Sequence, residues 1–198
     1  SNTSTIPLAQ LLEGMDDSMA THMLITHFFN PPRQMRLLEL DTSDRTQPDA
    51  VRRISHFLDH ALGKSIVPCK DTPGFIANRI GCYWLAAGLN EAIRLGIDVE
   101  LADAVMGKPF GLPRTGVFGL YDLIGVDLMP QIIRSLQDCL PAEDPMQLYT
   151  AEPTIITSML ANGHKGRKAG AGFYRIQKER KSREAIDLAS AQYRPQHE

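Results

Sequence analysis

The sequence predicts a short α/β segment followed by an all-α segment, mainly helical overall. Three observations carry this. Two short apolar runs, Met23-Leu24-Ile25 and Leu37 to Leu40, flank Asn30-Pro31-Pro32, and a proline pair between apolar runs reads as strand, turn, strand. From Asp71 onward apolar residues recur at three- and four-residue spacing between Gly, Asp and Pro boundaries, as in successive amphipathic helices. With 43% hydrophobic and 22% charged residues in 198, the chain suits a globular protein of one or two small domains.

Taken in order, Ile6 to Leu12 reads as a short helix, and the two strands follow. Thr46-x-x-Asp49 resembles a capping box, with Pro48 in the first turn of the helix it opens. Val51, Ile54, Leu58 and Leu62 give that helix its apolar stripe, and Gly63 ends it. Ser65-Ile-Val-Pro-Cys69 is a last short strand, and its proline suggests a sheet edge. Pro73 opens a long helix with Ile76, Ile80, Trp84 and Ala87 on one face, closed by Gly96. Asp98 caps a short helix carrying Leu101 and Val105, and Lys108 to Pro113 is a loop with two prolines. Helices near Val117–Ile124 and Leu128–Leu140 follow, the second capped by Asp127, with Gly125 between them. Pro153 opens a final helix that Gly163 ends. Three segments result: 1–70 α/β, 71–176 all-α, and a charged 177–198 with too few apolar residues to pack alone, read as a linker or tail. No internal repeat is detectable.

The bulk properties exclude several function classes. A net charge of −2 supplies no basic field for nucleic acid or an anionic membrane. No apolar run reaches about 18 residues, so no membrane span is expected. Cys69, Cys82 and Cys139 are scattered, odd in number and without ligand spacing, which reads as reduced thiols of an intracellular protein and no metal site. His56 and His60 stand at ligand spacing on one helix but lack an adjacent Glu or a third ligand, so they read as helix surface. His22 and His197 have no visible partners.

One pair carries chemistry. His27 leaves the end of the first strand and Glu39 projects from the second, twelve residues on. If the strands lie side by side, the two side chains meet. A carboxylate beside an imidazole fixes its tautomer and stabilises the imidazolium, as a general base requires. An imidazole beside a carboxylate also serves purely structural ends, and spacing alone leaves both readings open.

His27-Phe-Phe-Asn-Pro31, Glu39 after it, and Asp71-Thr-Pro-Gly-Phe-Ile-Ala-Asn-Arg79 together resemble the L-3-hydroxyacyl-CoA dehydrogenase family. Ser1-Asn-Thr-Ser4 is similar to that family's serine-bearing turn, and Gly166-Arg-Lys-Ala-Gly-x-Gly-Phe-Tyr174 to its closing glycine-rich segment. The motifs occur in family order over residues 1 to 174. The resemblance implies the C-terminal part of an NAD-binding Rossmann domain over 1–70 and an all-α C-terminal dehydrogenase domain over 71–176. The segment Ala185-Ile-Asp-Leu-Ala-x-x-x-Tyr193-Arg-Pro resembles the connector after the first helical repeat of bacterial multifunctional β-oxidation enzymes. No Gly-x-Gly-x-x-Gly occurs, since Gly170-x-Gly172 is followed by Arg175 where the third glycine should fall. The expectation is therefore a fragment, inactive alone, of a larger enzyme of fatty-acid β-oxidation.

The reaction implied is NAD-dependent oxidation of L-3-hydroxyacyl-CoA to 3-ketoacyl-CoA. His27 is then the base and Glu39 orients it. By resemblance Ser1 bonds the substrate oxygen and also lies by the cofactor, and Asn78 bonds the same oxygen or the thioester carbonyl. Asn30 matches a residue near the nicotinamide ribose, while as an Asn-Pro residue it also suits a turn. Lys168 matches a lysine near the cofactor and reads equally as a solvated basic loop. Phe28 and Phe29 read as core. The partners expected are an acyl-CoA substrate and a second copy of the chain, a homodimer through the helical domain. The location expected is cytoplasmic, bacterial-like, with an organelle matrix also open. The alternative is a non-catalytic folding or dimerisation module; lysine-centred hydroxyacid dehydrogenases are disfavoured by the His-Phe-Phe-Asn-Pro motif.

Overall fold

The computed structural model describes residues 1–112, 114–177 and 182–197. Pro113 of the expected loop, and residues 178–181 and 198 of the expected tail, lie outside the described residues. The chain divides into two compact units, Ser1–Ile80 and Gly81–Glu198. The sequence divides more naturally after residue 70. The Asp71 turn stays with the first unit because Asp71 accepts hydrogen bonds from the Leu8 and Ala9 amides, at 2.7 and 2.8 Å.

The first unit holds α1 (Leu8–Leu11), α2 (Asp17–Ala20), β1 (Ile25–Phe28), β2 (Leu37–Asp41), α3 (Pro48–His60) and β3 (Ser65–Cys69). The sheet order is β1-β2-β3, antiparallel then parallel. A parallel return needs a crossover, and α3 supplies it. Side-chain alternation then sorts the two faces. Leu38 and Leu40 pack with Leu58 of α3, and Phe28, Val51, Ile54 and Ile66 close that cluster. Ile25 faces the other way, into a cluster with Leu8, Leu12, Ala20 and Phe75. The register pairs His27 with Glu39 and Ile25 with Asp41, so His27, Glu39 and Asp41 share the face of Ile25. β3 is an edge of this sheet, where Pro68 costs no ladder bond.

Two local expectations fail here. Thr46 does not cap α3; the cap position is Gln47, without a side-chain bond. The Thr46 hydroxyl is occupied elsewhere, donating to the Met23 carbonyl at 3.0 Å and accepting from the Ser43 amide. Leu62 lies beyond the helix end and is exposed.

Helix α4 (Ala77–Leu95) starts in the first unit and continues into the second, which adds α5 (Val99–Val105), α6 (Phe118–Ile124), α7 (Met129–Cys139) and α8 (Thr154–Ala161). Its core gathers Leu85, Leu89, Phe118, Tyr121, Met129, Ile156 and Phe173. Phe173 is fully buried and meets Phe118 and Tyr121 edge-on, with centroids 4.7 and 5.6 Å apart. Such pairs add about 0.5–1.5 kcal/mol each beyond burial. The face of α4 that packs is Cys82, Leu85, Ala86, Leu89 and Ala92, whereas Ile76 and Ile80 are exposed. Small residues let this face pack closely, which a count of large apolar residues overlooks. The same reversal holds in α5, where Val99 and Ala102 are buried and Leu101 and Val105 are not. Leu128, not Asp127, stands at the start of α7, because Asp127 pairs with Lys168.

The expected tail is partly a sheet. β4 (Tyr174–Gln177), β5 (Ser182–Ile186) and β6 (Tyr193–Pro195) pair antiparallel, and Ala185 and Ile186 are buried in the helical core. The charged residues that suggested a linker occupy ion pairs instead: Arg175 with Glu184 across the strands, and Arg194 with Glu100 and Asp98. Among the described residues no helix is long and apolar enough to cross a membrane.

Candidate active site

The cross-strand register of β1 and β2 places His27 directly opposite Glu39. His27 Nδ1 lies 2.9 Å from Glu39 Oε2, with the residues 8% and 1% exposed. A carboxylate only accepts, so Nδ1 carries the hydrogen and Nε2 keeps its lone pair. The other carboxylate oxygen, Oε1, accepts the Ile76 and Ala77 amides at 3.0 and 2.7 Å. Ala77 is the first residue of α4, so Glu39 also satisfies amides that a helix start leaves open and meets the positive end of its dipole. Phe29, edge-on at 4.7 Å, and Phe75 at 5.8 Å wall the imidazole. Phe28 instead lies under the Lys64 ammonium, 5.6 Å from the ring centre.

The turn before α4 is tight. Gly74 and Phe75 both take positive φ, 74° and 47°, and for Phe75 that is a strained conformation held by the burial of its ring. It delivers Asn78 one residue after the amides bound to Glu39. Asn78 Nδ2 donates to Ser4 Oγ at 3.0 Å, and the Gly74 amide donates to the Ser4 carbonyl at 2.7 Å.

Ser1 does not meet this group. It is exposed, its backbone nitrogen donates to the Leu24 carbonyl, and among the described residues its hydroxyl accepts from the Thr3 amide, at 3.4 Å. The Ser1 carbonyl accepts the Thr26 amide, so the chain start lies beside β1. The serine of the Ser-Asn-Thr-Ser turn that faces Asn78 is the fourth residue. Both serines belong to the same motif, so sequence offered the signal but not the choice.

Asn30 is exposed on the β1–β2 turn, three residues beyond His27. Buried Lys64 braces that turn, donating to the Pro32 carbonyl and, at 2.7 Å, to the Met35 carbonyl. Lys168 lies in the second unit, where it pairs with Asp127 at 2.6 Å. The His27 group lies wholly within the first unit.

Two buried carboxyls, Asp41 and Asp122, and the half-buried Asp103 were invisible to motif reading. In the second unit, Asp122 accepts the Phe173 and Tyr174 amides, at 2.7 and 2.9 Å, and so clamps the glycine-rich segment. Asp103 accepts the Phe118 and Gly119 amides and the Tyr174 hydroxyl. Burial pushes each up to about 6 against the pull of those donors. In the first unit, burial and the neighbouring Asp71 carboxyl push Asp41 to about 6 as well. The Cys69 thiol is pushed up to about 11 by burial and by the Glu39 and Asp41 carboxyls, which keeps it an inert thiol. No group of three or more metal-ligating side chains occurs among the described residues.

Residues 1–72 match the family model described as "3-hydroxyacyl-CoA dehydrogenase, NAD binding domain", and residues 74–176 match "3-hydroxyacyl-CoA dehydrogenase, C-terminal domain". The chain is 43% identical over 195 residues to a Rickettsia felis protein named for the fatty acid oxidation complex trifunctional enzyme, covering 98% of this chain and 27% of that protein. It is 37% identical over 193 residues to a Bacillus subtilis protein named as a 3-hydroxyacyl-CoA dehydrogenase, covering 98% of this chain and 24% of that one. The chain thus spans about a quarter of the length of these relatives. Among solved structures it is similar to the (S)-3-hydroxybutyryl-CoA dehydrogenase of Ralstonia eutropha, with TM-score 0.73, 30% identity, and coverage of 90% of this chain and 60% of that one.

Proposed function

The chain belongs to the 3-hydroxyacyl-CoA dehydrogenase family, and we propose that it carries the proton-transfer site for NAD-dependent oxidation of L-3-hydroxyacyl-CoA to 3-ketoacyl-CoA in fatty-acid oxidation. The observation that supports this best is the single carboxylate of Glu39, which holds the His27 tautomer and the first amides of α4 together. With Nδ1–H committed to Glu39, Nε2 is the atom that takes the hydroxyl proton of the substrate and returns it in the reverse direction. Glu39 stabilises the imidazolium formed in that step. Ser4, whose oxygen accepts from Asn78, keeps its own O–H to donate to the substrate oxygen. The second Asn78 hydrogen serves the same oxygen or the thioester carbonyl. The aromatic walls of Phe29 and Phe75 keep the imidazole in place.

When bound, NAD supplies the acceptor for the hydride that leaves C3. The residues present fit its nicotinamide end, where the exposed Asn30 carboxamide suits a ribose hydroxyl. A Gly-x-Gly-x-x-Gly turn to cradle the pyrophosphate is not in this sequence. This chain by itself is therefore expected to be inactive. We read 1–70, 71–176 and 177–198 as cofactor-side domain, helical domain and a connecting segment that adds a small sheet. Lys168 is a candidate for the cofactor only if its ion pair with Asp127 opens.

The decisive experiment uses a version extended upstream with the family's cofactor-binding sequence, assayed with acetoacetyl-CoA and NADH. His27→Gln should lower kcat by about 10²–10⁴ while NADH affinity stays within a few-fold. A variant keeping more than about a tenth of the wild-type rate rejects His27 as the base.

For a homodimer through the helical unit, exposed Leu101, Phe110, Leu123 and Leu148 offer apolar side chains to a second copy. Sedimentation at tens of micromolar decides this, and a monomer rejects it. A cytoplasmic location agrees with three unpaired cysteines.

A further inference from the structure

Asp41 ends β2 on the face that bears His27 and Glu39, and it is 0% exposed. Neither of its carboxyl oxygens has a hydrogen-bond partner of proper geometry. Its neighbour is the Asp71 carboxyl, already an acceptor for the Leu8 and Ala9 amides. Two neighbouring carboxyls that act on each other, each able only to accept when ionised, repel; one proton between them turns the repulsion into a hydrogen bond. Asp71 is committed as an acceptor by two backbone donors, so the proton belongs on Asp41. An ionised Asp41 would be a buried charge with no well-aligned donor, which proteins avoid by retaining the proton.

We propose that Asp41 is a positioning residue: it holds a proton and donates it to Asp71, and this carboxyl pair fixes the turn that presents Ile76, Ala77 and Asn78. The connection is short. Asp71 opens the turn, and the amides of residues 76 and 77 bind the carboxylate of Glu39, two residues from Asp41 on the same strand face. The titratable groups on the face of Asp41 are Asp71, Cys69 in register on β3, Glu39 on its own strand, and His27 on β1, whose ring is turned to Glu39. Asp71, Cys69 and Glu39 are acidic and do not favour ionisation, and the hydrogen bond of His27 goes to Glu39; among the causes acting on Asp41 the Thr42 amide alone pulls the other way. Burial and Asp71 hold the carboxyl at about 6, so the pair opens as pH rises through that value. Two carboxylates then face each other, and the turn must shift to separate them.

The consequence for turnover rests on the dehydrogenase reading; the shared proton does not. The test is therefore made on the 198-residue chain, without an activity assay. Aspartate carboxyl carbons are followed by ¹³C NMR from pH 4 to 8 in wild type and Asp41→Asn, and amide exchange is measured over residues 70–78. One carboxyl titrating well above the free aspartate range should vanish in Asp41→Asn, while those of Asp103 and Asp122 remain. Protection over 70–78, corrected for intrinsic exchange, should fall on the order of ten-fold or more between pH 5 and 7.5 in wild type and stay flat in the variant, whose amide donates to Asp71 permanently. An Asp41 that titrates in the ordinary range, or a variant with the same pH-dependent loosening, overturns the proposal. Should Asp41→Asn fail to fold, the assigned wild-type Asp41 titration decides alone.

Discussion

The Ala77 amide donates to Glu39 Oε1 at 2.7 Å, while Oε2 of the same carboxylate takes the His27 ring at 2.9 Å. One side chain from the middle of a sheet thus starts the long helix and sets the tautomer of the imidazole. The strand register that aligns Glu39 with His27 needs only the turn between them, whereas the amides come from a segment 37 and 38 residues away. Disturbing the helix start therefore disturbs the base, through the carboxylate they share.

Glu39→Gln separates the two duties. Its carbonyl can still accept the helix amides, but its NH₂ turns a donor toward Nδ1. Nδ1 must then accept, which moves the hydrogen to Nε2, the wrong tautomer for a base. Nitrogen-15 NMR should show Nδ1–H in wild type and Nε2–H in Glu39→Gln. Stability should fall by about 1–3 kcal/mol, as for a lost hydrogen bond to a buried charged group. An unchanged tautomer would detach Glu39 from the base.

The two serines make an opposed pair. Ser4→Ala leaves the Asn78 amide without its acceptor and removes a donor to the substrate oxygen. In an extended, NAD-competent version it should lower kcat/KM about ten-fold, the equivalent of one hydrogen bond of about 1.4 kcal/mol. Ser1→Ala should change kcat/KM less than two-fold, because its exposed hydroxyl meets the Thr3 amide rather than Asn78. Equal effects, or the reverse order, would reassign the serine.

The sequence makes the His27–Glu39 pair legible because strand alternation and a proline turn are local properties, and a twelve-residue hairpin leaves few registers. The choice between Ser1 and Ser4 was not local. It depends on a hydrogen bond across 74 residues, from Asn78 to Ser4. Helix existence was readable from periodicity, but the buried face of α4 was not, since Ala86 and Ala92 pack where Ile76 and Ile80 carry the larger apolar area. Side chains that serve backbone amides leave no periodic trace, which hid Asp103 and Asp122. The β5 and β6 strands were hidden by composition: Arg183, Glu184 and Arg194 sit beside the buried Ala185 and Ile186.

Gly172 is a packing requirement. A Cβ there would lie 1.9 Å from Asp122 Oδ1 and 2.7 Å from the Gly166 backbone. Gly172→Ala must displace the carboxyl that clamps Phe173 and Tyr174, and should cost about 1–3 kcal/mol or more. Gly170→Ala meets nothing within 4 Å and pays only for its φ of +75°, about 1–2 kcal/mol. Urea unfolding followed by the single tryptophan, Trp84, measures both in the helical unit. A Gly172→Ala protein as stable as wild type would show that the clamp is not tight.

Asp103 gives that unit a pH dependence of definite sign. Burial raises its carboxyl from 3.8 to about 6 in the folded state, so folding favours the protonated form. Its contribution is fully present below the unfolded value and is lost as pH rises through about 6. Other groups obscure this in wild type alone: burial and Arg175 lower His164, which therefore opposes folding on acidification. The difference between wild type and Asp103→Asn removes them, because the asparagine imitates the protonated form and cannot titrate. From pH 4 to pH 7, wild type should lose on the order of 1–3 kcal/mol relative to the variant in Trp84-monitored urea unfolding. A gap that stays constant would mean that the Phe118, Gly119 and Tyr174 donors outweigh burial and keep Asp103 an ordinary carboxylate. A gap that moves the other way would mean that they stabilise the ionised form outright.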